Sequence, residues 1–468
     1  AKIVDKIKVI DKDTEEAEIS GIKTHDTKEK VMDVALKEEY KKGWFGNAKM
    51  GGGYTVNPET DNELIDSKGP LFNVNALMSA YGEKDQLTVI ANGQNAVDPT
   101  ASGSAVIVYG MDMDEFDSKQ GLSTNATAGV NYNTDRIRGL PSTVSVSYKY
   151  SGKDAKEKTA RTSFMSGSDD LHTNGFFDGT GDGHTLSASV EMKNANKEKF
   201  YFSFKPKFTF NTKQNSFTNA SHTTMNADTL NSSVSTKFNE GRSAGTSGQL
   251  DMGIMKLGGK EGRNLSLYAY YNFDNGDGVS GENSSTLLGD STAVVSLLYD
   301  KKSSSSYLHS NISYVEPLGE KWVLQVGTRG SWSSSRSDNI ATNGLDGTYN
   351  DYYTNITDNE STVLSGGVTT QYRSGSHNLS FGLSAIMNEN VNYVKNLGTE
   401  TIAGKGEWLF NLAPDLDYSY SKDSFSTNVY YFGSTQQPSN SQMSPTLNLG
   451  NPTMISAGNI YLKQYMYH

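Results

Sequence analysis

The chain has 468 residues, no cysteine, 46 glycines, 26 tyrosines and a formal net charge of −11. No stretch approaches the roughly 18 uninterrupted apolar residues of a transmembrane helix, and the lack of cysteine excludes a disulfide framework or a cysteine-based metal or redox site. The acidic balance argues against nucleic acid as a partner.

The first 42 residues differ in composition from the rest of the chain. They are rich in lysine, aspartate and glutamate, with short apolar runs at 4–10 and 31–36. We predict two short strands there. Because the segment lacks the ten-residue apolar alternation of a membrane-crossing strand, we expect it to lie inside or beneath a barrel and not in its wall.

A regular alternation begins at Trp44 and is clearest in 305–332. In the second half of that hairpin, Trp322, Leu324, Val326 and Trp332 share one face. Period-two alternation is typical of a strand with unlike faces. Ten residues span about 33 Å, enough for a tilted strand to cross a bilayer core. The two tryptophans are therefore predicted to mark the two membrane interfaces, with the apolar face against lipid.

Fifteen such strands are predicted along the chain. They fall at 44–54, 71–81, 85–94, 122–132, 142–151, 184–193, 199–211, 246–257, 262–274, 305–315, 321–332, 361–373, 376–388, 405–420 and 423–433. Single-chain bacterial barrels have even strand numbers, so an odd count indicates a fragment or a missed strand.

Short and long connections alternate between these strands. Short turns are predicted at 82–84, 133–141, 194–198, 258–261, 316–320, 374–375 and 421–422, and long loops at 55–70, 95–121, 152–183, 212–245, 275–304, 333–360 and 389–404. This alternation favours an outer-membrane barrel with periplasmic turns and extracellular loops over a sandwich or propeller. The fold class predicted is all-β, a transmembrane outer-membrane β-barrel over residues 43–468.

Two stretches near the carboxyl terminus resemble a known family. Residues 433–443, GSTQQPSNSQM, resemble the GSTRQPS…QL stretch of TonB-dependent-receptor-like (SusC-like) outer-membrane β-barrel proteins, and 458–463, GNIYLK, resembles its GNPxLKPE stretch, with Ile460 in place of proline. Residues 4–11 and 36–47 are similar to that family's passage from plug domain into first barrel strand, and 84–92 to its first short-turn hairpin.

The resemblance implies a barrel of about 22 antiparallel strands with a plugged lumen, of which this chain is a portion. It makes residues 1–42 the end of the plug domain. It also implies uptake of a nutrient solute such as a glycan, peptide or chelate, with TonB and surface lipoproteins as partners, in the outer membrane of a Gram-negative bacterium.

Candidate binding residues come from the polar faces of the strands and from acidic glycine-rich segments. Lys205, Lys207, Gln325 and Arg329 fall on polar faces and are candidates to line a lumen, or to pair with a plug or neighbouring strands. Asp178, Asp182, Asp274 and Asp277 could offer oxygen ligands to Ca²⁺, although Asp-Gly turn chemistry explains the same residues and neither segment has EF-hand spacing. No catalytic set or cofactor motif is present, so no enzyme is predicted.

Two function classes remain open, a TonB-dependent transporter and a non-transporting barrel subunit or scaffold of an outer-membrane complex with surface lipoproteins. A complete plug and TonB-contacting segment would favour the first, and tight association with lipoproteins the second. A soluble all-β adhesin is the third alternative, and it would bury the apolar faces between sheets.

Overall fold

The computed structural model describes most of the chain. Described are residues 4–13, 28–36, 42–55, 69–95, 122–135, 142–164, 170–194, 199–225, 228–288, 291–396, 399–403, 408–422, 425–436, 442, 459, 462 and 465–467. The long connections predicted at 55–70 and 95–121 lie largely outside these residues, as does most of the two stretches that carry the resemblance at the carboxyl end.

Nearly all of the described residues are in β-strands. In chain order these are β1 Val4–Asp13, β2 Lys28–Leu36, β3 Gly43–Thr55, β4 Gly69–Tyr81, β5 Asp85–Gln94, β6 Leu122–Thr134, β7 Ser142–Ser163, β8 Leu171–Lys193, β9 Phe200–Met225, β10 Asp228–Ile254, β11 Asn264–Leu288, β12 Ser291–Pro317, β13 Trp322–Asn343, β14 Asn355–Ser374, β15 His377–Asn396, β16 Thr399–Ala403, β17 Leu409–Lys422, β18 Phe425–Phe432, β19 Ser434–Gln436 and β20 Tyr465–Tyr467. No helix in this part of the chain is both long and apolar enough to cross a membrane.

One antiparallel sheet organises the molecule. Fifteen strands, β3 to β15 followed by β17 and β18, pair in chain order, and β16 pairs with the end of β15. All fifteen predicted strands are confirmed. Within the described residues no ladder joins β3 to β18, so these two strands form the edges of the sheet.

The predicted long loops at 152–183, 212–245, 275–304, 333–360 and 389–404 are wrong over most of their length, because strands continue into them. Residues 344–354, between β13 and β14, lie outside these strands. β10 and β12 each have 27 residues. At about 3.3 Å per residue such strands reach some 90 Å, far beyond a bilayer. Serine, threonine, asparagine and glycine replace the apolar residues there, so a strand outside lipid has the composition of a loop.

In a soluble protein the buried face of a sheet is mainly apolar and the exposed face mainly polar, and in this sheet that arrangement is reversed. The most buried side chains include Ser79, Thr88 and Asn131, each at most 2% exposed, whereas Phe208 and Leu308 on the other face are 45% and 49% exposed. A sheet that buries polar groups and exposes large apolar ones is matched to lipid on its outside. We call the apolar side the outer face and the polar side the inner wall.

The inner wall is concave. Phe45 in β3, Ser79 in β4, Glu191 in β8 and Lys205 in β9 line one cavity of about 760 Å³. These strands are far apart in the sheet order, so only curvature toward the polar side brings their side chains to one cavity.

The strands are also staggered as in a barrel. Gln86, which lies next to the β4–β5 turn, starts a row of paired residues that runs through Asn133, Ser145, Ser189, Lys207, Ser247 and Asn272 to Tyr307. Tyr307 lies well inside β12, far from the turn that follows Pro317. Each short turn is therefore shifted along the strand direction relative to the one before it, as expected for strands tilted by about 35–45°.

Residues 4–36 contribute a separate element. β1 and β2 form a two-stranded antiparallel sheet in which Ile10 pairs with Val31, and neither strand pairs with the large sheet. The two strands predicted in this segment are confirmed, and its assignment to a plug domain stays a prediction.

Candidate functional site

The four residues predicted to line a lumen all lie on the inner wall. Lys205 pairs across β10 with Gln249, and Lys207 with Ser247, while Gln325 and Arg329 pair with Val315 and Asn311 of β12. Even-numbered residues of β9, such as Phe208, lie on the outer face. The structure thus places the four on one wall, and their contact with a solute stays a prediction.

Lys205 and Glu191 meet at one end of the large cavity. The Lys205 Nζ lies 3.4 Å from Glu191 Oε1, and Lys193 Nζ lies 3.6 Å from the same oxygen. Nearby, the Ser79 and Thr88 hydroxyls are 3.1 Å apart and Gln86 donates to Ser79. The cavity is therefore lined with hydrogen-bonding groups and both signs of charge.

Arg329 lies beside an aromatic cluster that the sequence analysis did not single out, and Gln325 lies four residues nearer the short turn. The Gln325 amide donates to Ser313 Oγ at 2.8 Å. Tyr268 and Tyr307 each lie about 6 Å from His309, and the Tyr307 and His309 rings are stacked. The sequence does contain a signal for this cluster, because Tyr268 and Tyr270 lie at alternate positions on the polar side of β11. A pattern that sorts residues only into apolar and polar counts tyrosine as apolar and does not show it.

Beyond the membrane-spanning part, the inner wall carries a further charged group. Lys237 Nζ and Glu282 Oε1 are 2.8 Å apart. Burial and the nearby Glu282 raise the pKa of Tyr299 to about 12, and burial lowers the pKa of Lys301. Tyr299 therefore stays a neutral hydrogen-bonding group at physiological pH.

The four aspartates considered for Ca²⁺ are not brought together. Asp178 and Asp182 are four positions apart in the extended strand β8, about 13 Å. Asp274 pairs with Gly245 and Asp277 with Arg242, on opposite faces of β11. Asp178 lies 3.5 Å from Lys156, and Asp277 accepts from Arg242. The described residues contain no cluster of three or more metal-ligating side chains. The interpretation of these Asp-Gly segments as turns is wrong, since they lie inside strands.

The two tryptophans predicted at the interfaces share the outer face of β13. Trp322 lies at the short-turn end, with its ring 4.8 Å from that of Tyr372. Trp332 lies ten positions along the strand, where its indole N–H donates to Glu360 Oε1 at 2.7 Å. An aromatic ring at each end of an apolar stretch is the usual arrangement of an interfacial belt.

The comparison with known families agrees with this inside-out sheet. Residues 257–468 match the outer membrane protein beta-barrel family. The chain is an outer-membrane β-barrel protein. No curated protein matches it.

The matched residues begin at the β10–β11 turn and include β11 to β18. The earlier barrel strands β3 to β10 belong to the same continuous sheet. The family places the protein in the outer membrane of a Gram-negative bacterium, and proteins of this kind are typically not enzymes.

Proposed function

We propose that this barrel forms the wall of an uptake path for a hydrophilic nutrient solute, such as a glycan, peptide or chelate. The observation that carries the proposal is the concave inner wall, where a cavity of about 760 Å³ is lined by hydroxyl, amide and charged groups. A surface of this chemistry can replace the hydrogen bonds that such a solute makes with water.

The charged side chains on the inner wall favour passage of a solute over its tight binding. Glu191 is shared by Lys193 and Lys205, so this part of the wall offers both signs of charge to a solute. Arg329 forms no ion pair with any described residue and faces the same side. A solute with hydroxyl or carboxylate groups would meet these donors in succession without a single deep binding site.

We further propose that uptake is coupled to TonB. The separate β1–β2 sheet precedes the first barrel strand and pairs with none of the barrel strands described, as a filler of the lumen would. Ile7 and Val9 are 56% and 63% exposed in this sheet, which leaves an apolar surface for the rest of a plug domain to cover. Energy from TonB would then be needed to move the plug.

Uptake by whole cells tests the proposal. Cells lacking the gene are grown on panels of glycans, peptides and metal chelates as the limiting nutrient, and one class should fail to support growth. The Lys205→Glu/Lys207→Glu variant should slow uptake of that class, while the outer-face variant Thr246→Ser should not. Uptake should also stop when a protonophore dissipates the proton gradient. Unchanged growth on every nutrient class would refute transport, and uptake without the gradient would refute TonB coupling alone.

A scaffold role is the second candidate, favoured by the strand extensions. Phe238, Val279, Leu298 and Ile340 lie together on the outer face beyond the apolar band and are 36–48% exposed. A photo-crosslinker at Leu298 should capture another outer-membrane protein if the barrel is a scaffold. A crosslinker at Ser303, on the inner wall of the same strand, is the matched control.

A further inference from the structure

A second cavity lies on the outer face, where the apolar band ends. It has a volume of about 580 Å³ and is lined by residues of β9 to β13. Asn275 and Asp277 lie just beyond Phe273, about ten residues along β11 from the short-turn end at Asn264. Ten residues is the length of a bilayer-crossing strand, so the cavity lies at the lipid headgroups of the leaflet facing the strand extensions.

Three cations from three strands surround this cavity. Arg242 in β10 pairs across the ladder with Asp277, which pairs with Lys302, which pairs with Asp338, and Arg336 lies two residues before Asp338 on the same face. All five side chains therefore project from the outer face. The lining carries three positive and two negative groups.

The two carboxylates hold the arginines in place without using all of their donors. Arg242 Nε lies 2.9 and 3.0 Å from the two oxygens of Asp277, and Arg336 Nε lies 3.0 Å from Asp338 Oδ1. Within the described residues the terminal nitrogens of Arg242 make no hydrogen bond, and Lys302 forms no ion pair. A preorganised guanidinium with unused N–H groups is well suited to a phosphate oxygen.

The floor and lower edge of the cavity fit the rest of a lipid. Ala244 and Ser304 are small residues that keep the floor low between the longer side chains. Phe210 flanks it, and Phe208, Phe273 and Leu308 continue the outer face toward the membrane centre at 41–49% exposed. Acyl chains can lie along this apolar surface while the head remains among the cations.

We infer that Arg242, Lys302 and Arg336 form a binding site for the phosphate group of a membrane lipid in the leaflet at the strand-extension end. The site lies outside the lumen and does not depend on what the barrel transports. Its ligand would be a phosphorylated lipid held by charge-assisted hydrogen bonds at the head and by apolar contact along the chains.

Native mass spectrometry of the delipidated full chain in neutral detergent tests this site, with diphosphorylated lipid A as the probe. Wild-type protein should bind lipid A at least about tenfold more tightly than the Arg242→Gln/Lys302→Gln/Arg336→Gln variant, a loss of about 1.4 kcal/mol or more. Lys302→Gln alone should weaken binding without leaving a carboxylate unpaired, which covers the case in which the triple variant does not fold. Lys301→Gln, its neighbour on the inner wall, is the matched control and should bind like wild type.

Four results would overturn the inference. The first is equal binding by wild type and the triple and single Lys302 variants. The second is equal binding of dephosphorylated lipid A, which would assign the affinity to acyl chains alone. The third is binding of inorganic phosphate as tight as that of lipid A, which would make the site one for a soluble anion. An equal loss with Lys301→Gln would likewise assign the effect to overall charge and not to this site.

Discussion

Arg263 and Glu316 form a bidentate ion pair that joins two neighbouring short turns of the barrel. Arg263 Nε donates to Glu316 Oε2 at 2.7 Å and Nη2 donates to Oε1 at 3.0 Å, and Lys260 Nζ lies 2.6 Å from Oε1. The β10–β11 turn and the end of β12 are thus held together at the rim, outside the apolar band. Hydrogen bonds from Arg263, Lys260 and Tyr314, in that order, hold the pKa of Glu316 well below its usual range.

The first prediction is that Glu316 makes the stability of the barrel depend on pH. A carboxyl group whose pKa is lower in the folded than in the unfolded state stabilises the fold at pH values above its unfolded pKa, about 4.3. This stabilisation is lost as the pH falls toward the folded-state pKa. Urea unfolding of wild type in vesicles should therefore show this contribution constant above about pH 5 and declining below it. Glu316→Gln should lose it at neutral pH and show a smaller decline. Identical pH profiles for the two proteins would contradict the assignment.

The second prediction concerns the lipid-facing side of β14. Val368 is 47% exposed on the outer face, and Thr369 follows it on the inner wall opposite Gln325. Val368→Arg should cost about 2–4 kcal/mol, because an arginine near the bilayer midplane loses its hydration. Thr369→Arg points into a polar lumen and should cost much less. Equal costs in urea titrations of the two variants in vesicles would argue against a membrane-spanning sheet.

The third prediction is the orientation of the barrel, tested by labelling. The chain has no cysteine, so each introduced thiol is unique. Leu345, at the tip of the β13–β14 hairpin, is 89% exposed, and Glu320 is exposed in the β12–β13 turn. On intact cells, a membrane-impermeant maleimide should label Leu345→Cys and leave Glu320→Cys unlabelled until the outer membrane is permeabilised. The reverse pattern would invert the topology.

The fourth prediction concerns a glycine covered by an aromatic ring. Gly248 pairs with Tyr271 on the outer face, and a Cβ at Gly248 would collide with the Tyr271 ring. Gly248→Ala should therefore destabilise the barrel by about 1–3 kcal/mol. Gly366→Ala is the matched control, because its nearest neighbours would be 3.9 Å away. The loss at Gly248 should shrink when Tyr271 is also changed to alanine, and a loss of the same size in that background would show that the ring is not the cause.

The sequence by itself determined the strand order, the face of each residue in the apolar stretches and the class of membrane protein. Alternation such as Phe200, Phe202 and Phe204 against Tyr201 and Ser203 is a local property with period two, and it needs no knowledge of neighbouring strands. The tryptophans of β13 mark the length of the apolar stretch for the same reason. All of this depends on residues close together in the chain.

The tertiary structure alone decided how far the strands extend and which side chains meet. Segments 212–245 and 275–304 are polar enough to be loops, and only pairing with neighbouring strands turns them into sheet, since a backbone ladder does not require apolar side chains. Register, set across the whole sheet, places Arg242, Lys302 and Arg336 around one cavity although they are far apart in sequence. The strand-by-strand pattern does not contain that stagger, because a shift of two residues leaves every side chain on the same face.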